Sequence, residues 1–431
     1  MQITIHRGTN EIGGSCVEVA TSTTRLVIDL GMPLVDANRE PFDSSAASAK
    51  SIETLKAEKV IPGISGLFDT LFPAPEGILL SHAHLDHAGL LYLSRSAVPI
   101  YATSGTSKMM LAASVFAGQK RLDRTRFREV VGKQQIQIGD CRVTPLPVDH
   151  SIFGSVAFLV EGDGKTILYS GDFRKHGRKP GMIRDLLNYI KGIPVDVLIV
   201  EGTHFGSEKV EGATEYQLEE SIFDMVKSAP ALVLATFSAL DVDRIVTLYK
   251  VAQKTDRIFV VDAYTAFVLY LISEHTKVPK PSRDMGIRVY FNKLFELRKL
   301  VTIRERFLAD QIELSEILSD STRYLMVFRP SMVQLDFNGQ LPSRCRCLYG
   351  YWKGYLAKKD WVDLQHQIAQ VHGDFIPAHV SGHAYVADIV SFVKSVNART
   401  VIPIHTFEPQ MFQNYFSNVT MLSDRVSFDV V

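Results

Sequence analysis

The run Ser81-His82-Ala83-His84-Leu85-Asp86-His87-Ala88-Gly89 constrains this chain more than any other stretch. It follows the apolar run Ile78-Leu79-Leu80 and precedes a helix-like segment at 90–94, so it reads as the turn that leaves a buried strand. Three imidazoles and a carboxylate within six residues are ligand types for zinc and similar divalent ions. Such a turn cannot bury them cheaply unless a metal or hydrogen-bond partners satisfy them. The plain alternative is a polar loop with coincidental histidines, and it predicts no matching residues elsewhere.

Matching residues do occur. Short apolar runs ending in Gly, Asp, His or Ser alternate with longer helix-like stretches, which predicts a layered α/β protein. Strands are expected at 25–28, 78–80, 143–148, 166–169 and 195–200, then at 231–236, 257–261, 286–291, 324–328 and 346–349, and last at 376–380 and 400–404. Helix-like segments cover 217–227, 241–253 and 385–396. Open α/β sheets build their sites at the carboxyl ends of strands, and there the chain carries Asp29, His150, Asp172, Glu201 and His405. Each alone would read as an ordinary loop residue; together they are the right residue types for one edge of a sheet.

Composition narrows the function classes. With 431 residues, and roughly 150 per domain, two or three domains are expected. Lys plus Arg and Asp plus Glu both total 47, so no global positive field exists to coat nucleic acid, and any polyanion must be bound at a local site. Four cysteines without a CxxC pair (Cys16, Cys141, Cys345, Cys347) point to free thiols in a reducing compartment. No apolar run approaches the roughly 18 to 20 residues that span a bilayer, and the start lacks a leader pattern, so a cytoplasmic protein without a membrane partner is expected.

The motif His82-Ala83-His84-Leu85-Asp86-His87, with Asp29 upstream and His150 and Asp172 downstream, resembles the metallo-β-lactamase fold. Glu201 in VEGTHFG, His383 in HVSGHA and His405 in IPIHTF resemble, in order, the three added motifs of the β-CASP branch, the nucleases of the ribonuclease J and cleavage-and-polyadenylation endonuclease type. The opening EIGGSCVEV and the dipeptide Phe237-Ser238 are also similar to that branch. The resemblance implies an αββα sandwich with an inserted α/β domain: residues 1–205 and 376–431 as the two parts of the metallo-β-lactamase domain, 206–375 as the insertion. After His405 the sequence continues Thr406-Phe407, where ribonuclease J usually has Gly and Glu.

Carried over residue by residue, the resemblance gives His82, His84 and His150 to one divalent ion, Asp86, His87 and His405 to a second, and Asp172 to both, with Zn²⁺ or Mn²⁺ as the metal. Asp29 is implied as a support for the metal turn. Asp86, Glu201 and His383 are the implied catalytic residues, His383 as the general acid for the leaving oxygen and Glu201 as the carboxylate that orients it. A His rather than a Val in the last motif implies RNA as the substrate, and a single strand is the expected form. Ser381 and Gly382 resemble a phosphate-binding turn, and Ser238 could add a hydroxyl.

Two basic clusters remain. Arg174, Lys175, His176, Arg178 and Lys179 follow Asp172 directly, so Arg174 and Lys175 are the better candidates for substrate contact. The run with Lys120, Arg121, Arg124, Arg126, Arg128 and Lys133 reads equally well as a solvated helix face. His6, His204, His275, His366, His372 and His379 receive no catalytic role. The competing readings are a DNA nuclease of the same branch, a hydrolase of small esters or thioesters, and an RNA-binding pseudo-nuclease. The oligomeric state is left open, a homodimer included.

Overall fold

The computed structural model describes residues 1–431 apart from 37, 38, 48, 208, 209 and 275, so His275 lies outside the described residues. Strands β1 (Gln2–Arg7), β2 (Cys16–Ala20), β3 (Arg25–Ile28), β4 (Gly77–Leu79), β5 (Ile100–Thr103) and β6 (Phe127–Val130) lie side by side in a first sheet. Strands β7 (Ile136–Ile138), β8 (Cys141–Pro147), β9 (Val156–Gly162), β10 (Lys165–Tyr169) and β11 (Val197–Glu201) form a second. Strands β12 (Val233–Thr236), β13 (Ile258–Asp262), β14 (Ile287–Tyr290), β15 (Tyr324–Val327), β16 (Arg346–Tyr349) and β17 (Asp374–Pro377) form a third. The chain then returns: β18 (Thr400–Ile404) pairs with β11, and β19 (Ser427–Asp429) pairs with β1.

The period-2 alternation of strand side chains sets the layering of the first two sheets. Val197 and Ile199 of β11, Ile167 and Tyr169 of β10, and Leu26 and Ile28 of β3 share one apolar cluster, so the two sheets face each other. Their neighbours Leu198, Val200 and Leu168 point the other way, onto Ile183 and Leu186 of the helix Gly181–Ile190 and Ile389 and Phe392 of the helix Val386–Val396. On the first sheet, Val27, Ile78 and Ile100 are covered by Ala47, Leu55 and the segment 60–68. Each buried Val, Leu or Ile contributes about 1.5–3 kcal/mol, and burial on both faces is why these strands read as continuous apolar runs. This is an αββα sandwich.

Residues Met1–Gly212 with Gly382–Val431 form one compact unit and Ala213–Ser381 a second. The second unit holds the all-parallel third sheet in the order β14-β13-β15-β12-β16-β17. Its helix Glu215–Lys227 starts two residues before the expected 217 because Thr214 and Gln217 form a reciprocal capping box. The strand expected at 376–380 is β17 at 374–377, and its pairing with β16, Arg346 opposite Asp374, makes it an edge strand of the third sheet. Trp352 is 55% exposed, whereas Tyr349 is fully buried.

Candidate metal centre

The edge expected in the first unit exists because of strand direction. Strand β8 runs antiparallel to β9, β9 antiparallel to β10, and β10, β11 and β18 are mutually parallel, so β8, β10, β11 and β18 end on one side. There stand His150, Asp172, Glu201 and His405. On the first sheet β3 and β4 are parallel, Ile28 opposite Leu79, which sets Asp29 beside the turn that carries His82, His84, Asp86 and His87. Asp29 and His405 each follow their strand with a left-handed backbone, φ 59° and 56°. That conformation is uncommon away from glycine but is enriched for Asp and His; Asp163, Asp256 and His372 adopt it in turns elsewhere, and Asp29 and His405 adopt it at the site.

Possible ligand atoms gather in three groups, each within 4.8 Å: His82, His84 and His150; Asp86, His87, Asp172 and His405; and Asp172, Glu201 and His383, the last two sharing Asp172. The Nε2 atoms of His82, His87 and His405 and both oxygens of Asp172 are buried without a well-aligned hydrogen bond, although His87 Nε2 and Asp172 Oδ2 stand 3.1 Å apart. A buried unsatisfied polar atom costs about 1–3 kcal/mol, so five in one cluster fit a cation that completes them. His150 Nε2 and His84 Nδ1 face each other at 3.1 Å, a separation that two nitrogen lone pairs tolerate only with a proton or metal between them. Burial keeps His82, His84 and His150 neutral and ready to ligate, His84 being pushed down to about 4. Burial opposes ionisation of Asp172, but His405, His87 and His383 hold its carboxyl well below the usual range.

The support of this cluster is equally specific. The Asp29 carboxylate accepts the Ser81 N–H at 2.7 Å, the Ser81 hydroxyl at 2.7 Å and the Tyr169 hydroxyl at 2.8 Å, and lies 2.8 Å from His87 Nδ1. With Nδ1 donating to Asp29, His87 turns Nε2 to the cluster, the arrangement usual for a metal-ligating histidine. His405 Nδ1 lies 2.9 Å from the Ser15 hydroxyl, and His150 Nδ1 donates to the Gly382 carbonyl at 2.6 Å. Gly31 lets the chain pass beneath the turn: a Cβ there would stand 1.8 Å from the Asp86 carbonyl oxygen.

Beside the cluster, His383 Nδ1 lies 3.1 Å from Glu201 Oε2, and the Thr203 hydroxyl donates to the same oxygen at 2.7 Å. Glu201 also accepts the Phe173 N–H at 2.9 Å. Burial would lower the His383 pKa, but the carboxylates of Glu201 and Asp172 raise it to about 9. A fifth of the His383 side chain, 22%, reaches solvent.

Other residues differ from expectation. Arg174 does not face a substrate: its side chain is fully buried, with Nε 3.4 Å from Asp149 Oδ1, and Asp149 also accepts the Lys179 N–H. Lys175 is paired 3.5 Å from Asp388. The cluster after Asp172 is therefore largely internal bracing, which residue type could not reveal. Ser238 lies in the second unit, where its hydroxyl accepts the Leu240 N–H at 3.3 Å, and Ser381 is buried at the end of that unit. His6 is held 2.7 Å from Glu18, His379 Nδ1 lies 3.1 Å from the Gly350 carbonyl, and His366 and His372 are exposed. Ser15, Gly31, Ser81, Tyr169 and Thr203 were not singled out in sequence. Ser15, Ser81 and Thr203 lie inside quoted motifs and carried a local signal; Gly31 and Tyr169 did not.

Comparison with known proteins agrees with this geometry. Residues 67–248 match the model of the beta-lactamase superfamily domain, and residues 363–419 that of the Zn-dependent metallo-hydrolase RNA specificity domain. The chain is 23% identical over 422 residues to ribonuclease J of Mycobacterium tuberculosis, covering 94% of this chain and 68% of the relative. It is 26% identical over 246 residues to an RNase J-like protein of Methanocaldococcus jannaschii, covering 54% of this chain and 50% of the relative, so it spans half the length of that protein. A crystal structure of a protein of unknown function from Enterococcus faecalis V583 superposes with a TM-score of 0.80 at 20% identity over 99% of both chains, which bears on the fold alone. No helix among the described residues is long and apolar enough to cross a membrane. Fold, clustered His and Asp side chains, and both domain matches make this chain a metallo-β-lactamase-fold protein, with the β-CASP resemblance read from its motifs.

Proposed function

We propose that the chain is a metal-dependent ribonuclease of the cytoplasm that hydrolyses phosphodiester bonds in single-stranded RNA. The observation that carries this reading is the seven-residue ligand cluster with its buried, unsatisfied nitrogens and oxygens, set beside the Glu201–His383 pair. In this reading His82, His84 and His150 hold one divalent ion, Asp86, His87 and His405 hold a second, and Asp172 serves both. Zn²⁺ and Mn²⁺ both suit the donor set. Bound divalent ions there supply Lewis acidity and a nucleophilic water at neutral pH.

The chain's own residues supply the rest. Asp86 accepts a hydrogen bond from the attacking water. Glu201 and Thr203 fix His383 through Nδ1, so Nε2 is left to deliver a proton to the departing sugar oxygen, which would otherwise leave as an alkoxide. The two-part unit Met1–Gly212 with Gly382–Val431 carries this site, so the breaks expected at 205 and 376 fall at Gly212 and Gly382.

The test is incubation of purified protein with end-labelled RNA and DNA of matched sequence, with metal analysis, beside Asp86→Ala and His383→Ala. RNA cleavage, metal in the native protein and loss of cleavage in both variants are expected. Absence of metal together with intact RNA under Zn²⁺, Mn²⁺ and Mg²⁺ would remove the nuclease reading. Full activity of His383→Ala would remove only the general acid.

A further inference from the structure

The basic run before β6 is not a helix face. Arg126 is buried and directs its guanidinium to the carbonyls of Leu91 and Val98 and to the Ser94 hydroxyl, which anchors the short turn Arg124–Arg126. Around that anchor Lys120, Arg121 and Arg124 are exposed and enter no ion pair among the described residues. Together with Lys108 they border a groove of about 300 Å³ whose floor includes Met110, Leu122 and Phe127. Glu129 is the one carboxylate among its lining residues. In a chain with 47 cationic and 47 anionic side chains, four cations against one carboxylate is a local excess.

The groove meets the catalytic edge of the first unit at Ser104 and runs back along the helix Ser104–Phe116, so that Lys120, Arg121 and Arg124, which precede β6, lie toward its far end. Ser104, which lines it, follows β5 directly, and β5 runs parallel to β4 with Leu79 opposite Tyr101. Thr103 therefore stands level with Ser81, one strand spacing of about 4.8 Å away, where the chain turns toward His82. The Thr103 hydroxyl also donates to the Gly154 carbonyl at 2.7 Å, in the loop that follows His150.

We propose that this groove is a second binding site for the RNA strand, taking phosphates several nucleotides from the scissile bond while the apolar floor carries bases. The inference rests on the ribonuclease reading. Exposed cations over an apolar, part-aromatic floor fit a single strand, whose phosphates and bases are both accessible. An acidic protein segment would use the charge and leave the floor idle.

The experiment compares the metal-loaded protein with the triple variant Lys120→Ala, Arg121→Ala, Arg124→Ala on RNA of about 30 and about 4 nucleotides. Each phosphate contact on a single strand contributes about 0.7 to the salt slope, so removing three lowers the slope by about 2 and weakens long-RNA binding by about 100-fold near 0.1 M salt. KM for the long RNA should rise accordingly, with kcat and the kinetics on the short RNA unchanged. Glu129→Lys should strengthen long-RNA binding by about fivefold. If wild type cleaves RNA and neither variant shifts long-RNA affinity or salt slope, the groove proposal is wrong and the ribonuclease reading stands. If wild type cleaves no RNA, the ribonuclease reading fails. Fluorescence anisotropy with labelled RNA then decides the groove directly, and tight binding of an acidic peptide in place of RNA overturns it.

Discussion

Asp29→Asn tests whether the metal turn is held from behind. The Asp29 side chain is fully buried, and four donors converge on it: the Ser81 N–H and hydroxyl, the Tyr169 hydroxyl and His87 Nδ1. Three of these, Ser81 Oγ, His87 and Tyr169, meet Oδ2, and the Ser81 N–H meets Oδ1. An amide has the same shape and tolerates the left-handed backbone at φ 59°. It carries one NH₂ in place of an acceptor, so in either orientation at least one donor faces another. Hydrogen bonds to charged groups are each worth about 1.5–3 kcal/mol, so losing one or two, along with the charge, should cost about 2–5 kcal/mol, shared between folding and metal affinity. Loss of such a support typically lowers metal affinity about 10–100-fold. Competition against a chromophoric chelator gives the affinity, and urea denaturation of metal-free protein gives the folding share. Asp29→Ala should be worse, since it orphans every donor and adds about 1–2 kcal/mol of left-handed strain. Wild-type metal affinity and stability in Asp29→Asn would refute the bracing argument.

Three further outcomes follow from the geometry. Gly31→Ala should yield protein with little bound metal, because its Cβ would overlap the Asp86 carbonyl, whereas Gly63→Ala, whose Cβ meets nothing within 4 Å, should bind metal normally; equal metal content in both would contradict this. The His383 pKa is raised to about 9, so in the metal-free protein its contribution to stability is full below about 6.5 and is lost as pH rises through 9. Bound cations near Asp172 should lower that value, and Glu201→Gln should lower it further. The alkaline limb of single-turnover cleavage should move down in Glu201→Gln, and an unmoved limb would exclude His383 as the acid. All four cysteines are buried, and burial holds the Cys141 and Cys345 thiols up at about 12 and about 11. Ellman's reagent should find no reactive thiol in the native protein and four after denaturation; rapid native labelling would show that the core opens readily.

Much of the layering was legible because the strands are buried on both faces. Residues 25–28, 346–349 and 400–404 coincide with β3, β16 and β18, whose apolar runs need no partner to be recognised. Strands β1, β2 and β9 were not expected. The first two alternate buried and half-buried side chains, Thr4 and Glu18 among them, so no continuous apolar run marks them, whereas β9 does carry a buried apolar run, Val156 to Val160, before the polar Glu161-Gly162. The edge strand β17 was displaced because its four residues are only half-buried or exposed, and its identity comes from backbone pairing with β16.

The sequence by itself determined which side chains stand at strand ends, and therefore which residue types meet at the sheet edge: strand, turn and ligand identity are local properties. Tertiary structure decided which of them are braced, and by what. Tyr169 supports Asp29 across 140 residues, Ser15 supports His405 across 390, and Gly31 clears space for Asp86. It also reversed the two basic clusters, sealing Arg174 inside against Asp149 and leaving Lys120, Arg121 and Arg124 exposed. A cation's charge is written in its residue type, but whether that charge is spent inside the protein or offered to a ligand depends on what distant segments pack around it.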